Sequence, residues 1–401
     1  MPNASIPTLT KPKEARQLRL PPERKQFIEN LITACAFAIC LYVFFGISVS
    51  KCLSRKVVLN ENREAAKFPK VKANWSSISS FPRSFESFFD DRVAFRDRLV
   101  AARSQFYFKL FRVSGSPKVI IGKNDFLFYA DEANRPMIMG SHAFSPEELH
   151  RWKELLERRH TWCNKRGIDY FFVLAPTKFS VYPEFLPWEY ANYPRRTRTD
   201  ELIDFLKQTR SPVQVIDLRS SLRTAKSTLP LYLRTDTHWN QLGAYYGYKS
   251  MIELLRERQP SISPPSSLAN FNLKARRFGT GDLARMQGLL GVLTETTIEL
   301  DHKEQSTVKL YRESNFSENV VGQEETRAFG YHQDRSDLPS MLMFRDSFAA
   351  FMIELPLPEH FSRSTYFWQP EFSESIVLRE KPDIVIQEML ESCLYLPPQE
   401  M

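Results

Sequence analysis

Cysteine is scarce in this 401-residue chain, with five in all. Cys35, Cys40 and Cys52 fall in or beside one apolar stretch, so only Cys163 and Cys393 remain for everything else. Two isolated cysteines cannot build a disulfide framework and are expected to pack as small hydrophobes. Metal-ligand spacing is missing as well: His142, His150, His160, His302, His332 and His360 stand apart from partners at ligating distances along the chain, and no metal or other cofactor is expected. There is no internal repeat. The net charge of +8 is moderate and forms no basic stripe interleaved with aromatics, so nucleic acid is not expected as a partner.

Charge itself is absent from Leu31 to Ser50, a run of 20 residues. That is about the length needed to cross a bilayer as a helix, and a helix buried in a soluble core would seldom lack a polar face. Lys11, Lys13, Arg16, Arg19, Arg24 and Lys25 precede it against Glu14 and Glu23, in a stretch rich in proline. This reads as a disordered tail on the cytoplasmic side, although Lys51, Arg55 and Lys56 weaken the charge asymmetry. Ser48-Val49-Ser50 offers a cleavage site, but the apolar run and the leader are long for a signal peptide, and Lys51 before Cys52 disfavours a lipoprotein. The expected organisation is a tail over 1–26, an uncleaved single-pass anchor over 27–50, a linker over 51–80 and a domain over 81–401, outside the cytoplasmic membrane.

The remaining composition, 42% apolar and 25% charged, is ordinary for a globular core. Phe85, Phe88, Phe89, Phe95, Leu99 and Phe106 recur near helical spacing, which predicts a helix docked on the domain core in preference to one lying on a membrane. A hairpin is expected around Asn124-Asp125. Ser145-Pro146-Glu147-Glu148 reads as a capping box that opens a helix closed near Gly167. Short apolar runs at 170–174, 213–216, 341–344, 365–368 and 384–386 alternate with helical pattern. The fold class is therefore α/β, with a mostly parallel sheet flanked by helices. Residues 293–311 read as an inserted hairpin.

Two distant segments carry chemistry. Thr235-Asp236-Thr237-His238-Trp239-Asn240 sets a carboxylate two residues before an imidazole, and Met341-Leu342-Met343-Phe344-Arg345-Asp346-Ser347-Phe348 sets a serine where a buried strand gives way to a helix. A serine hydroxyl needs a histidine in hydrogen-bond reach, and the histidine needs a carboxylate to fix its tautomer. At such a junction Asp346 or Ser347 also suits a helix cap, and His238 a core position. Asp236 and His238 suit a metal too, but the sequence shows no third ligand.

In order and context these segments resemble the alginate O-acetyltransferase family, whose catalytic domain resembles an SGNH-type acyl hydrolase with permuted blocks. Further matches are Phe88-Phe89-Asp90-Asp91-Arg92 with Arg96, the run from Val119 to Tyr129, Pro176-Thr177-Lys178 with Tyr182-Pro183-Glu184, Gly281-Asp282-Leu283-Ala284, and Lys381 to Glu388. The resemblance implies Ser347 as nucleophile, His238 as base and Asp236 as its orienting acid, in an enzyme moving acetyl groups to hydroxyls of an exported polysaccharide. It also implies a multispanning acyltransferase as acetyl donor. Lys178, Tyr182, Trp239 and Arg345 are candidate substrate contacts; for Lys178 and Tyr182 loop packing is an equal alternative, and for Trp239 packing is the simpler one. Where the hydrolases have glycine before Asp-Ser, this chain has Arg345. A carbohydrate esterase with the same three residues, and a non-catalytic glycan-binding envelope protein, are the other classes the sequence allows.

Overall fold

Without a charged residue to interrupt it, the apolar run forms the middle of a long helix, α1 (Pro22–Leu53), whose apolar part spans Gln26–Cys52. The computed structural model describes residues 21–53, 65–70, 72–190, 196–311 and 328–398. The tail through residue 20, and 54–64 and Val71 of the expected linker, lie outside them. The chain divides into two compact units, the first reaching Arg96 and holding α1 and α2 (Trp75–Asp90). Helix α2 begins within the stretch read as linker, where the Asn74 side chain accepts from the Ser77 N–H and caps it.

The second unit carries the sheet. It contains α3 (Arg96–Phe111), β1 (Val119–Ile121), β2 (Leu127–Tyr129), α4 (Asn134–Ile138), α5 (Pro146–Asn164), β3 (Asp169–Ala175), α6 (Lys178–Val181), α7 (Arg198–Gln208), β4 (Gln214–Asp217), α8 (Arg219–Ala225) and α9 (Gln241–Arg258). There follow β5 (Phe271–Gly279), α10 (Asp282–Met286), β6 (Glu295–His302), β7 (Lys309–Tyr311), β8 (Ala328–His332), β9 (Ser340–Phe344), α11 (Ala349–Ile353), β10 (Arg363–Phe367), α12 (Glu374–Glu380) and β11 (Ile384–Leu390). The hairpin at Asn124 and the Ser145 capping box form as the sequence predicts.

Seven strands make one sheet in the order β4-β3-β11-β9-β10-β8-β7. Pairing is parallel from β4 through β10, and antiparallel where β8 meets β10 and β7 meets β8. The parallel strands β3, β11, β9 and β10 are buried on both faces, so alternate residues feed two cores: Met341 and Met343 enter one, Leu342 and Phe344 the other. The strands β3, β9 and β11 thereby end at one edge, where β9 runs into Ser347 and β3 into Lys178.

Two sequence expectations are corrected. The aromatic stripe is not one helix docked on the core: α2 buries Phe88 alone and leaves Phe85 and Phe89 exposed, while α3 buries Phe108 and leaves Leu99 and Phe106 exposed. Nor do residues 293–311 form a hairpin. Strand β6 pairs with β5 in a separate two-stranded sheet, and β7 pairs with β8 at the edge of the main one. Both are pairings between strands distant in sequence, which local pattern does not encode.

Candidate active site

The turn that holds Ser347 follows directly from β9. Arg345 N–H still donates to Phe367 O of β10, 3.0 Å away, and then the chain turns. Asp346 holds that turn, accepting from the Phe348 N–H at 2.8 Å and the Leu390 N–H at 2.7 Å, while its own N–H donates to Glu388 at 3.0 Å. Burial raises the Asp346 carboxyl above its usual range, and burial together with the Asp346 charge holds Glu388 well above its own. Asp346 thus holds the junction through its side chain, while Phe348, the N-cap residue of the next helix, has no side-chain cap bond. The helix after it, α11, is a short one, and the Ser347 N–H has no acceptor among the described residues.

The second segment reaches the same place from the loop before α9. Asn240 caps α9 by accepting from Gly243 N–H at 2.9 Å, which fixes Trp239 and His238 just upstream. Trp239 is fully buried and its indole N–H donates to Phe348 O at 3.0 Å, tying this loop to the turn that holds Ser347. His238 Nε2 then lies 2.8 Å from Ser347 Oγ, and His238 Nδ1 lies 2.8 Å from Asp236 Oδ1. Burial opposes charge on the imidazole, but the hydrogen bond and charge of Asp236, with Asp282 and Asp346 beyond, raise its pKa above the usual value. Burial likewise opposes ionisation of Asp236, yet the His238 bond and charge and two backbone N–H groups pull it down to about 2. Serine oxygen, imidazole and ionised carboxylate therefore stand in line, the arrangement that moves a proton off a hydroxyl.

Two carboxylates brace that loop and a third braces the turn at Ser347, and sequence reasoning gave none of them a role. Asp282 N–H donates to Asp236 Oδ2 at 2.9 Å, and the Asp282 carboxylate accepts from Thr237 N–H at 2.7 Å and Thr237 Oγ1 at 2.8 Å. Glu295, buried, accepts from Arg234 N–H, Thr235 N–H and Thr235 Oγ1. Glu388 supports the other half through Asp346. The matches at Gly281-Asp282 and at the end of β11 were the available signal. Gly281 is required by close approach: a Cβ there would fall 2.4 Å from Thr235 O and 2.6 Å from Asp236 Cβ. Asp282 is also the third potential ligand the sequence did not show, since ligand atoms of Asp236, His238 and Asp282 lie within 4.8 Å of one another. Every oxygen of the two carboxylates accepts a hydrogen bond from the chain itself.

All four candidate substrate contacts are buried. Lys178, 4% exposed, donates to Leu127 O at 2.7 Å and Arg234 O at 3.3 Å and also to Asp236 O; burial lowers its pKa to about 8. Tyr182, 5% exposed, accepts the Leu231 N–H at 3.0 Å. Trp239 packs as described. Arg345, 3% exposed, donates to Asp346 O and stacks its guanidinium 4.5 Å over the ring of Trp368. A cleft of about 970 Å³ opens by Tyr129, with Lys118, Asp131, Arg135, Ser141 and His142 in its walls. Tyr129 packs against the apolar cluster that holds Leu283 and Ala284, next in sequence to Asp282.

The family model described as SGNH hydrolase-like domain, acetyltransferase AlgX, matches residues 119–328, more than half of the chain. The probable alginate O-acetylase AlgJ of Pseudomonas aeruginosa is 35% identical over 131 residues, 32% of this chain and 31% of that protein. Its counterpart from Pseudomonas putida is 31% identical over 147 residues, 36% of each. The chain thus aligns with about a third of the length of these relatives. The solved O-acetyltransferase domain of Pseudomonas putida AlgJ is 18% identical, covers 71% of this chain and 94% of its own, and superposes with a TM-score of 0.47.

Proposed function

This chain belongs to the AlgX family of SGNH hydrolase-like acetyltransferase domains, and from that membership we propose that it is an O-acetyltransferase acting on hydroxyls of an exported polysaccharide. The observation that carries the reading is the line Ser347 Oγ, His238, Asp236, with 2.8 Å at each step. Ser347 Oγ attacks the acetyl carbonyl as His238 Nε2 takes its proton, and Asp236 stabilises the imidazolium. The unpaired Ser347 N–H is one donor for the carbonyl oxygen as it becomes an oxyanion. The leaving group collects the proton from His238, which leaves acetyl on Ser347. A sugar hydroxyl then gives its proton to His238 and takes the acetyl, restoring the serine.

The cleft beside Tyr129 has the size to hold a saccharide of several units, and it would seat the acceptor. Helix α1 would anchor the protein once in the cytoplasmic membrane, with residues 1–26 inside, 27–50 across, 51–80 as connection and 81–401 as the outer domain. Acetyl-coenzyme A lies on the other side of that membrane, so a multispanning acyltransferase would hand the acetyl group across.

Transfer and hydrolysis share their first half and differ in what resolves the acetyl-enzyme. Full-length protein in detergent, given a small activated acetyl ester and an unacetylated oligosaccharide, should deliver acetyl to sugar faster than to water. Release of acetate alone, unchanged by added sugar, would make the protein an esterase instead.

A further inference from the structure

Among the described residues, the apolar face of α2 is largely exposed, with Phe68 packed against Phe85 and Phe88. Trp75, Ile78, Phe81, Phe85 and Phe89 share one side of this helix, and Ser76, Ser79, Ser80, Ser84 and Ser87 occupy the other. Trp75 is 80% exposed and Ile78 49%. The rings of Phe81, Phe85 and Phe89 stack in series, with centroids 5.8 and 6.4 Å apart, so the exposed surface is continuous. Contiguous apolar surface of this kind marks a face that meets something other than water.

The chain around α2 says what it meets. Just past the helix, Ala94 N–H donates to Ser48 Oγ at 2.9 Å. Ser48 is buried and belongs to α1, four residues before the apolar span ends at Cys52. Four residues of helix rise about 6 Å, which is the depth at which interfacial helices bury their apolar sides. The segment before α2 is fixed to the same turn: Asp91 accepts from Ala66 N–H at 2.8 Å, and Arg92 donates to Ala66 O at 2.8 Å and stacks 3.8 Å over Phe88. Tryptophan and phenylalanine suit the boundary between headgroups and acyl chains, and Lys67, Lys70 and Lys72 just ahead suit anionic headgroups. The polar side asks little of water, because the hydroxyls of Ser79, Ser80, Ser84 and Ser87 donate back to carbonyls three or four residues earlier.

We propose that α2 lies flat in the surface of the same bilayer that α1 crosses, with Trp75, Ile78, Phe85 and Phe89 set into the acyl boundary. This rests on reading α1 as a membrane span. Since Arg83, Glu86 and Asp90 nearly cancel on the polar side, insertion of the rings, more than attraction between charges, holds the helix there.

The test places single cysteines on the two sides: Ile78→Cys and Phe85→Cys on the apolar face, Ser80→Cys on the polar one. Each full-length variant is reconstituted into phosphatidylcholine vesicles and exposed to a membrane-impermeant maleimide, with peptide mass spectrometry separating the new thiol from the native ones. Both apolar-face thiols should react at least about tenfold more slowly than the Ser80→Cys thiol, at low and high salt alike, and all three should react equally once the protein is denatured. The Ile78 position guards against local shielding, because Phe68 packs against Phe85 with ring centroids 6.2 Å apart, whereas Ile78 is 49% exposed. Equal rates in vesicles that still carry the protein after a carbonate wash would overturn the proposal and leave the anchor standing. Loss of the protein in that wash would overturn both.

Discussion

At the scale of single residues, the proposed function rests on how one imidazole is poised. Asp236 and His238 were legible because a carboxylate two residues before a histidine is a short-range pattern, and Ser347 because it follows an apolar run. The residues that hold them were not legible: Asp282, Glu295 and Glu388 act through backbone N–H groups brought close only by the fold. Lys178, Tyr182, Trp239 and Arg345 are candidate contacts for substrate because polar and aromatic side chains near a site invite that reading, with packing the alternative for the first three. All four are buried. The pair Asp236–His238 makes a prediction with a definite sign. The His238 pKa is raised, so its contribution to stability is full below the ordinary histidine value near 6.5 and fades as pH rises through the folded value. Asp236 is depressed from 3.8 to about 2, so its contribution is full above 3.8 and fades as pH falls through the lower value. Catalysis needs the neutral imidazole, so the acid limb of kcat/KM on an activated acetyl ester should lie above the ordinary histidine value. In Asp236→Asn the limb should move to lower pH, and the plateau rate should fall on the order of 10⁴-fold. A variant with the limb unmoved would separate Asp236 from the base.

At the scale of elements, local signals were reliable where the physics is local. The Ser145 capping box, the hairpin at Asn124 and the five apolar runs that became β3, β4, β9, β10 and β11 all form. What failed was pairing at a distance, as β6 found β5 and β7 found β8. The α2 stripe also misled, since helical spacing reports which face is apolar and not what covers it. One loop-to-helix contact tests the brace on the site. In Gly281→Ala the added Cβ would meet Thr235 O at 2.4 Å and Asp236 Cβ at 2.6 Å. The loop holding Asp236 should shift, so activity should drop at least about tenfold, with a stability loss of roughly 1–3 kcal/mol typical of overpacking. Circular dichroism and thermal melting alongside the ester assay check this; full activity would show the loop to be tolerant of displacement.

At the scale of the whole molecule, an apolar helix long enough to cross a membrane and an α/β domain were legible from the uncharged run and from the alternation of patterns, and the mostly parallel sheet places Ser347 at the carboxyl edge expected for such folds. The proposed orientation predicts that an enzyme reporter active only outside the cytoplasm, fused after residue 80, gives signal in intact cells. Signal only from a cytoplasmic reporter at that point would reverse the topology. The central claim is that acetyl passes through Ser347, and mass spectrometry tests it most directly. The full-length protein is mixed briefly with an activated acetyl ester, quenched in acid and digested. One added acetyl group should appear on the peptide holding Ser347, be absent from Ser347→Ala, and disappear on addition of unacetylated oligosaccharide as the sugar gains it. Acetyl trapped on another residue, or a Ser347→Ala protein that transfers at the full rate, would contradict it.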